Sequence, residues 1–321
     1  MSEQKPADLI RKSRRWLAWG IALAALVYVG ASLWLGLEDV GDAFATFAWW
    51  TYLPVLGLTL VNYALRFWKW HFLVGRLGAR ISVRDNAGVF LAGFAMIISP
   101  GRAGEVIKPY LLRAKTGFPM AQTIPALVTE RLTDGIALLA LAAISVSTYA
   151  GDKAHYVWIP IGLVVAGLGV LMHRGLSMAI LGVFARLPLI GKVGHKLEDM
   201  YLAMRTCVAP VPLALTVLAS LVAWFAECVG YLIVFAGFGV EASLDACTFL
   251  YAFATVAGGA MPGGLGVADG ALVGGALTIV PGLTEGVSVA AALLIRLATL
   301  WFGVVLGAFA LLRVGATLDQ D

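Results

Sequence analysis

Apolar residues run along the chain in blocks of about 20, the length that carries an α-helix across the roughly 30 Å hydrocarbon core of a bilayer. Such blocks cover residues 16–37, 52–74, 120–149, 156–172, 211–238 and 286–312. Two further apolar stretches, 87–112 and 248–280, are each cut near the middle by a Pro-Gly pair, Pro100-Gly101 and Pro262-Gly263. Proline stops an incoming helix and glycine permits a turn, so each stretch reads as a broken hairpin rather than a plain span. The pattern predicts an all-α polytopic membrane protein of about six full spans plus two broken re-entrant hairpins. The first block follows Arg11, Lys12, Arg14 and Arg15 and is too long for the apolar region of a signal peptide. It reads as a retained anchor.

Composition agrees with the pattern. Of 321 residues 60% are hydrophobic and 13% charged, against roughly 45–50% and about 25% in soluble domains. This excludes a soluble enzyme, a nucleic-acid-binding module and a secreted disulfide scaffold. The three cysteines, Cys207, Cys228 and Cys247, are widely spaced and read as small buried apolar residues. The four histidines show no metal-ligand spacing, and no nucleotide-binding loop or dinucleotide fingerprint is present. Neither a metal nor a cofactor is expected.

The net charge of +4 is small, but its distribution sets a topology. If both broken stretches enter and leave by one face, 17 of the 23 Lys and Arg fall on the inner side, Lys69, Arg76, Arg80 and Arg84 among them. One, Lys153, falls outside, and five lie within the membrane. The positive-inside rule selects that arrangement, with both termini cytoplasmic in the cell membrane. The basic segment 174–206 carries interleaved apolar residues and suits an amphipathic element on an anionic inner leaflet. A lipid-modifying partner enzyme is its alternative ligand.

The chain also repeats itself. Gly78 and Ser82 recur as Gly239 and Ser243; Pro100-Gly101 recurs as Pro262-Gly263; Arg131-Leu132 recurs as Arg296-Leu297. Repeat one covers 52–150 and repeat two 211–313. Three full crossings separate their starts, and an odd number inverts the second copy. Inverted repeats with broken helices at the membrane midplane are a transporter architecture.

Ionisable side chains inside a membrane need a partner or a task. The first half carries Arg102, Glu105, Lys108, Glu130, Arg131 and Asp134, the second Glu227, Asp269 and Arg296. Glu105 precedes Arg131 by 26 residues and Asp269 precedes Arg296 by 27, predicting one hairpin-to-helix ion pair per repeat. Arg102 and Lys108 have no evident local partner and are assigned to substrate. The breaks at Pro100, Pro109 and Pro262 free backbone N–H groups, and Gly101, Gly104, Gly263 and Gly266 are assigned to an anion held there.

Residues 99–112 (Ser-Pro-Gly-Arg-Ala-Gly-Glu-Val-Ile-Lys-Pro-Tyr-Leu-Leu), Glu130-Arg131-Leu-Thr-Asp134 and Pro262-Gly-Gly-Leu-Gly-Val-Ala-Asp-Gly270 resemble the lysylphosphatidylglycerol synthase transmembrane-region family. These are flippase-like proteins related to the N-terminal membrane domain of the multiple peptide resistance factor. The resemblance covers about residues 15–315. It implies lipid translocation, carried by Pro100, Gly101, Arg102, Gly104, Glu105, Lys108, Pro109, Glu130, Arg131, Asp134, Pro262, Gly263, Gly266 and Asp269. The sequence ends at Asp321 without the soluble aminoacyl-transferring domain of full-length synthases, so synthase activity is not expected. The expected function is flippase-like translocation of an anionic head group, phospholipid or polyprenyl-phosphate-linked, with membrane lipids as partners. A transporter of a small soluble anion, or a membrane enzyme using Glu130 or Asp134 as general acid or base, are the alternatives.

Overall fold

The computed structural model describes residues 37–99, 104–149, 151, 155–172 and 194–318. All but the last residue of the expected anchor, together with Pro100, Gly101, Arg102 and most of the basic stretch before residue 194, lie outside the described residues. Every described element is helical. In chain order they are α1 (Leu37–Thr46), α2 (Tyr52–Arg76), α3 (Val83–Phe94), α4 (Ile107–Thr116), α5 (Met120–Ile144), α6 (His155–Met172), α7 (Gly194–Cys207), α8 (Pro210–Gly237), α9 (Leu244–Ala257), α10 (Val267–Ile279), α11 (Glu285–Arg296) and α12 (Phe302–Leu318). A π-turn over Leu297–Trp301 joins α11 and α12 into one long rod.

By length and composition, two of the described helices are apolar enough to cross a membrane, α8 and the α11–α12 rod. A third is α2 with α1, which meets it at a 77° bend. The six spans expected from the apolar blocks are therefore not all reproduced by this measure. The block 16–37 lies outside the described residues but for Leu37, and α6 offers only the shorter apolar helix Trp158–Val170; for the rest the reason is chemical. α5 is 25 residues long but carries Glu130, Arg131 and Asp134 near its middle, and α2 carries Arg66, Lys69 and Arg76.

The two halves start alike. Gly78 and Gly239 both hold the left-handed conformation (φ 93° and 70°) that ends the preceding helix. Ser82 and Ser243 then cap α3 and α9, each Oγ accepting a backbone N–H three residues on at 3.1 Å. Both landmarks recur at an interval of 161 residues (78 to 239, 82 to 243).

Each broken stretch folds back on itself. In the first, Lys115 Nζ lies 3.0 Å from Asp85 Oδ1 at the open end, and the Lys108 stem passes Gly93 deeper in. The entry of α3 and the exit of α4 are thus at the same end. The Ser82 hydroxyl and the Lys115 ammonium hold the exposed Asp85 carboxyl below its usual range. In the second, Gly275 faces Leu250 and Gly258 faces Ala268, so α9 and α10 also run antiparallel. Arms of 10 to 14 residues reach about 15–21 Å, roughly half the thickness of a bilayer core or a little more.

α2 and α8 occupy the same place in their halves and run antiparallel. Ala48 N–H donates to Gly237 O at 2.9 Å, Asn62 Nδ2 to Ala223 O at 2.9 Å and Lys69 Nζ to Ser220 Oγ at 2.7 Å. The first hairpin opens beside the C-terminal end of α2, the second beside that of α8, hence at opposite ends of the bundle. Their tips meet between these ends, where Gly263 N–H donates to Ile97 O at 3.2 Å. Gly263 sits at φ 59° there, and a Cβ would press on Ile98 at 3.2 Å.

The hairpins exchange partners: α3 packs on α12, and α9 packs on α5. Gly307 on α12 lets the end of α3 approach backbone to backbone, and Gly303, one turn earlier, makes room for the Tyr63 ring of α2. A Cβ on Gly307 would fall on the Ala95 amide nitrogen. Gly307→Ala is expected to cost about 1–3 kcal/mol by overpacking. Gly270→Ala, exposed on α10 with open space at its Cβ, is expected to be neutral or to gain up to about 1 kcal/mol. Thermal unfolding in detergent separates the two.

Candidate anion site between α2, α4, α5 and α8

Charged residues spaced three or four apart share one face of a helix. On α5 this aligns Glu130 with Asp134, and on α2 it aligns Arg66 with Lys69. The two faces meet inside the protein, and the first hairpin adds Glu105 and Lys108. All these side chains are buried except Arg131, which is 25% exposed.

Lys69 is wholly buried. Its ammonium lies 2.5 Å from Asp134 Oδ1, 2.7 Å from Ser220 Oγ, and 3.2 Å from both Thr133 Oγ1 and Glu130 O. This corrects the topology expectation that set Lys69 on the inner basic face. The residue is about two turns from the end of α2, too deep for its stem to reach water. Lys108 also differs from expectation. Far from lacking a partner, its Nζ is 2.6 Å from Glu130 Oε2 and 3.8 Å from Glu105 Oε2. The Trp70 and Phe90 rings flank it at 4.7 and 5.2 Å. Gly93 makes this position accessible, since a Cβ there would meet the Lys108 stem at 2.8 Å.

Arg131 gathers the carboxylates. Its Nη2 is 2.6 Å from Glu130 Oε1 and 3.1 Å from Glu105 Oε2, and its Nη1 is 3.5 Å from Asp134 Oδ2. The residue sequence reasoning did not single out is Arg66, 3.8 Å from both Glu130 and Asp134. Its signal was a charge inside the apolar block 52–74, three residues before Lys69. Among the described residues this ion-paired cluster holds four cations (Arg66, Lys69, Lys108, Arg131) and three carboxylates (Glu105, Glu130, Asp134).

The second half builds a smaller site at its own hairpin tip. Arg296 Nε is 2.9 Å from Asp269 Oδ1, and its Nη2 donates to Gly263 O. Asp269 Oδ2 accepts the Gly266 N–H at 2.8 Å, occupying the N-terminus of α10 with the protein's own carboxylate. Glu227 Oε2 accepts the Tyr251 hydroxyl at 2.5 Å. Pro262 opens the tip turn, and Pro109 lies in the first turn of α4, where its missing N–H costs no helical bond.

Of the glycine amides assigned to an anion, Gly101 lies outside the described residues and the other three are in use within the protein. Gly104 N–H donates to Ser99 Oγ at 2.7 Å, Gly263 N–H to Ile97 O, and Gly266 N–H to Asp269. Among the described residues, side chains rather than these three amides supply the free donors. Among the described residues no group of three or more His, Cys, Asp or Glu converges as a metal site.

A UPF0104 membrane protein of Methanothermobacter thermautotrophicus is 26% identical over 335 aligned positions, which cover 93% of this chain and 94% of that protein. The family described as lysylphosphatidylglycerol synthase TM region matches residues 17–307. The chain is a membrane protein and belongs to the lysylphosphatidylglycerol synthase TM-region family.

Proposed function

We propose that the protein translocates the anionic head group of a lipid across the cytoplasmic membrane, between two re-entrant hairpins of an inverted repeat. The observation that carries this is the buried cluster of four cations against three carboxylates, opening outward at Arg131. Burying an excess positive charge is costly without an anion to meet it. The family supports a lipid-related role. The opposed hairpins, touching at their tips through Gly263 and Ile97, support alternating access: opening either hairpin exposes the cluster to one side, while the other keeps the path closed. Six spans and cytoplasmic termini complete the arrangement, in keeping with the basic inner loops.

On this reading Arg131 and Arg102 hold the head group, while the acyl or prenyl tails remain in the bilayer. Arg102 lies in sequence between Ser99 and Gly104, whose side chain and amide hold the two edges of the tip together. The ion pairs of Arg131 and Arg296 break and re-form as the repeats rock. The driving force is the lipid's own gradient, an ion gradient or a partner protein.

The test is head-group flipping in proteoliposomes, with acyl-labelled phosphatidylglycerol and a membrane-impermeant quencher. Wild-type protein is expected to expose inner-leaflet probe faster than protein-free vesicles, and Arg102→Ala or Arg131→Ala to slow it about tenfold or more. Equal rates for wild type, variants and empty vesicles would sink the proposal.

A further inference from the structure

Arg66 is the cation of the cluster that no carboxylate holds at hydrogen-bond length. Its Nη2 and Nε stand 3.8 Å from Glu130 Oε1 and Asp134 Oδ2, too far for a hydrogen bond. Both nitrogens are buried and bond to no described residue. The rings of Phe94 and Trp224, 5.3 and 5.7 Å from the guanidinium carbon, hold the group in place while offering no acceptor. Arg131 is in a related state: its Nε and Nη1 are buried without a hydrogen bond. Between the two guanidinia lies Asp134 Oδ2, which accepts no hydrogen bond and sits 3.5 Å from Arg131 and 3.8 Å from Arg66.

Buried donors are nearly always satisfied, so two guanidinia with four unpaired nitrogens, two of which (Arg66 Nε and Arg131 Nη1) flank one unpaired oxygen, mark a place for an acceptor. The oxygen already there belongs to a carboxylate whose other oxygen is fixed by Lys69 at 2.5 Å. Asp134 therefore cannot advance to either guanidinium without giving up Lys69. An incoming anion with two free oxygens, by contrast, can satisfy both.

We propose that Arg66 and Arg131 are the two jaws of a phosphodiester clamp, with Asp134, tied to Lys69, as the internal anion that lies between them until a phosphate binds both. The clamp rests on the anionic-head-group reading and names the chemistry it selects. A phosphodiester carries one negative charge and two non-ester oxygens, matching the single excess charge of the cluster and a pair of guanidinium forks. The phosphate enters along the exposed edge of Arg131 and meets Arg66 last. The second half has no counterpart: 161 residues after Arg66 stands Glu227, bonded to Tyr251. The clamp is single and belongs to the first repeat.

The clamp makes an unusual demand on Arg66. Removing it leaves three cations facing three carboxylates, so Arg66→Met is expected to unfold at or above the wild-type temperature in detergent. The same variant is expected to bind dihexanoyl-phosphatidylglycerol about ten- to hundred-fold more weakly than wild type. Arg66→Lys, which keeps the charge and loses the fork, is expected to bind about tenfold more weakly. Dihexanoylglycerol, which lacks phosphate, is expected not to bind. Inorganic phosphate binding as tightly as the lipid would support the clamp and assign it to a free phosphate.

Unchanged lipid binding by Arg66→Met or by Arg66→Lys would overturn the clamp. So would an Arg66→Met protein that unfolds as readily as one lacking Glu130, since Arg66 would then be a structural partner. Flipping assays on the same preparations separate the two levels. Wild-type flipping that Arg66→Met retains removes the clamp alone, whereas absence of wild-type flipping removes the head-group reading beneath it.

Discussion

Glu130→Ala is expected to lower the unfolding free energy of the detergent-solubilised protein by about 3–5 kcal/mol, the usual cost of orphaning a buried ion partner. Glu130 is wholly buried. One carboxylate oxygen lies 2.6 Å from Lys108 and the other 2.6 Å from Arg131, with Arg66 3.8 Å away. Its loss leaves four cations facing two carboxylates in a site where, of these side chains, Arg131 alone is more than marginally exposed. Glu130→Gln keeps the shape and one acceptor, so it is expected to cost less than Ala but to remain destabilising. Glu130→Ala with Lys108→Met is expected to cost less than the sum of the two single changes, because the second removes a charge that the first orphaned. Denaturant unfolding of the four proteins measures this. A Glu130→Ala loss below about 1 kcal/mol would mean that the cluster is not a closed electrostatic unit.

Arg296→Met is expected to be the next most damaging change, by about 2–3 kcal/mol. The figure is set below that for Glu130 because Arg296 and Asp269 are 12% and 15% exposed, and partial solvation screens the pair. Two ties are lost together: the Asp269 carboxylate at 2.9 Å and the Gly263 carbonyl. Both lie at the tip where Gly263 also bonds to Ile97 of the other hairpin, so the change loosens the contact between repeats. Arg296 is followed at once by the π-turn Leu297–Trp301, where Tyr63 donates its hydroxyl to Thr299 O at 2.8 Å. π-turns often mark functional positions. A double-mutant cycle of Arg296→Met with Asp269→Asn is expected to give a coupling of about 1–3 kcal/mol. Additive losses would show that the pair does not act as a lock.

Much of the architecture was legible because it is local. Pro262-Gly263 and the left-handed glycines Gly78 and Gly239 mark breaks and turns through backbone sterics alone. Ser82 and Ser243 cap helices through contacts three residues away. The intervals from Glu105 to Arg131 and from Asp269 to Arg296 survive translation into space, because each spans one hairpin arm and the following helix; the pairs stand at 3.1 and 2.9 Å. What could not be read is which faces meet. Helical spacing puts Arg66 and Lys69 on one side of α2, but only the antiparallel packing of α8 and the neighbouring α5 turns that side inward. Lys69 thus looked like an inner-face charge, and Lys108 looked unpaired because Glu130 reaches it from another helix. The same charges explain part of the span count. They interrupt the apolar runs of α2 and α5, so hydropathy undervalues the helices that build the site.

The most direct test of the account is which side of the membrane each hairpin opens to. In a chain with Cys207, Cys228 and Cys247 replaced by serine, single cysteines are placed at the exposed positions Arg84 and Ala114, flanking the first hairpin, and Glu241 and Glu285, flanking the second. They are labelled with a membrane-impermeant maleimide in intact and opened vesicles. Positions 84 and 114 are expected to react from one face, and 241 and 285 from the opposite face. Labelling of 84 and 114 from different faces would make the first hairpin a full span and contradict the inverted repeat on which the proposed transport path depends.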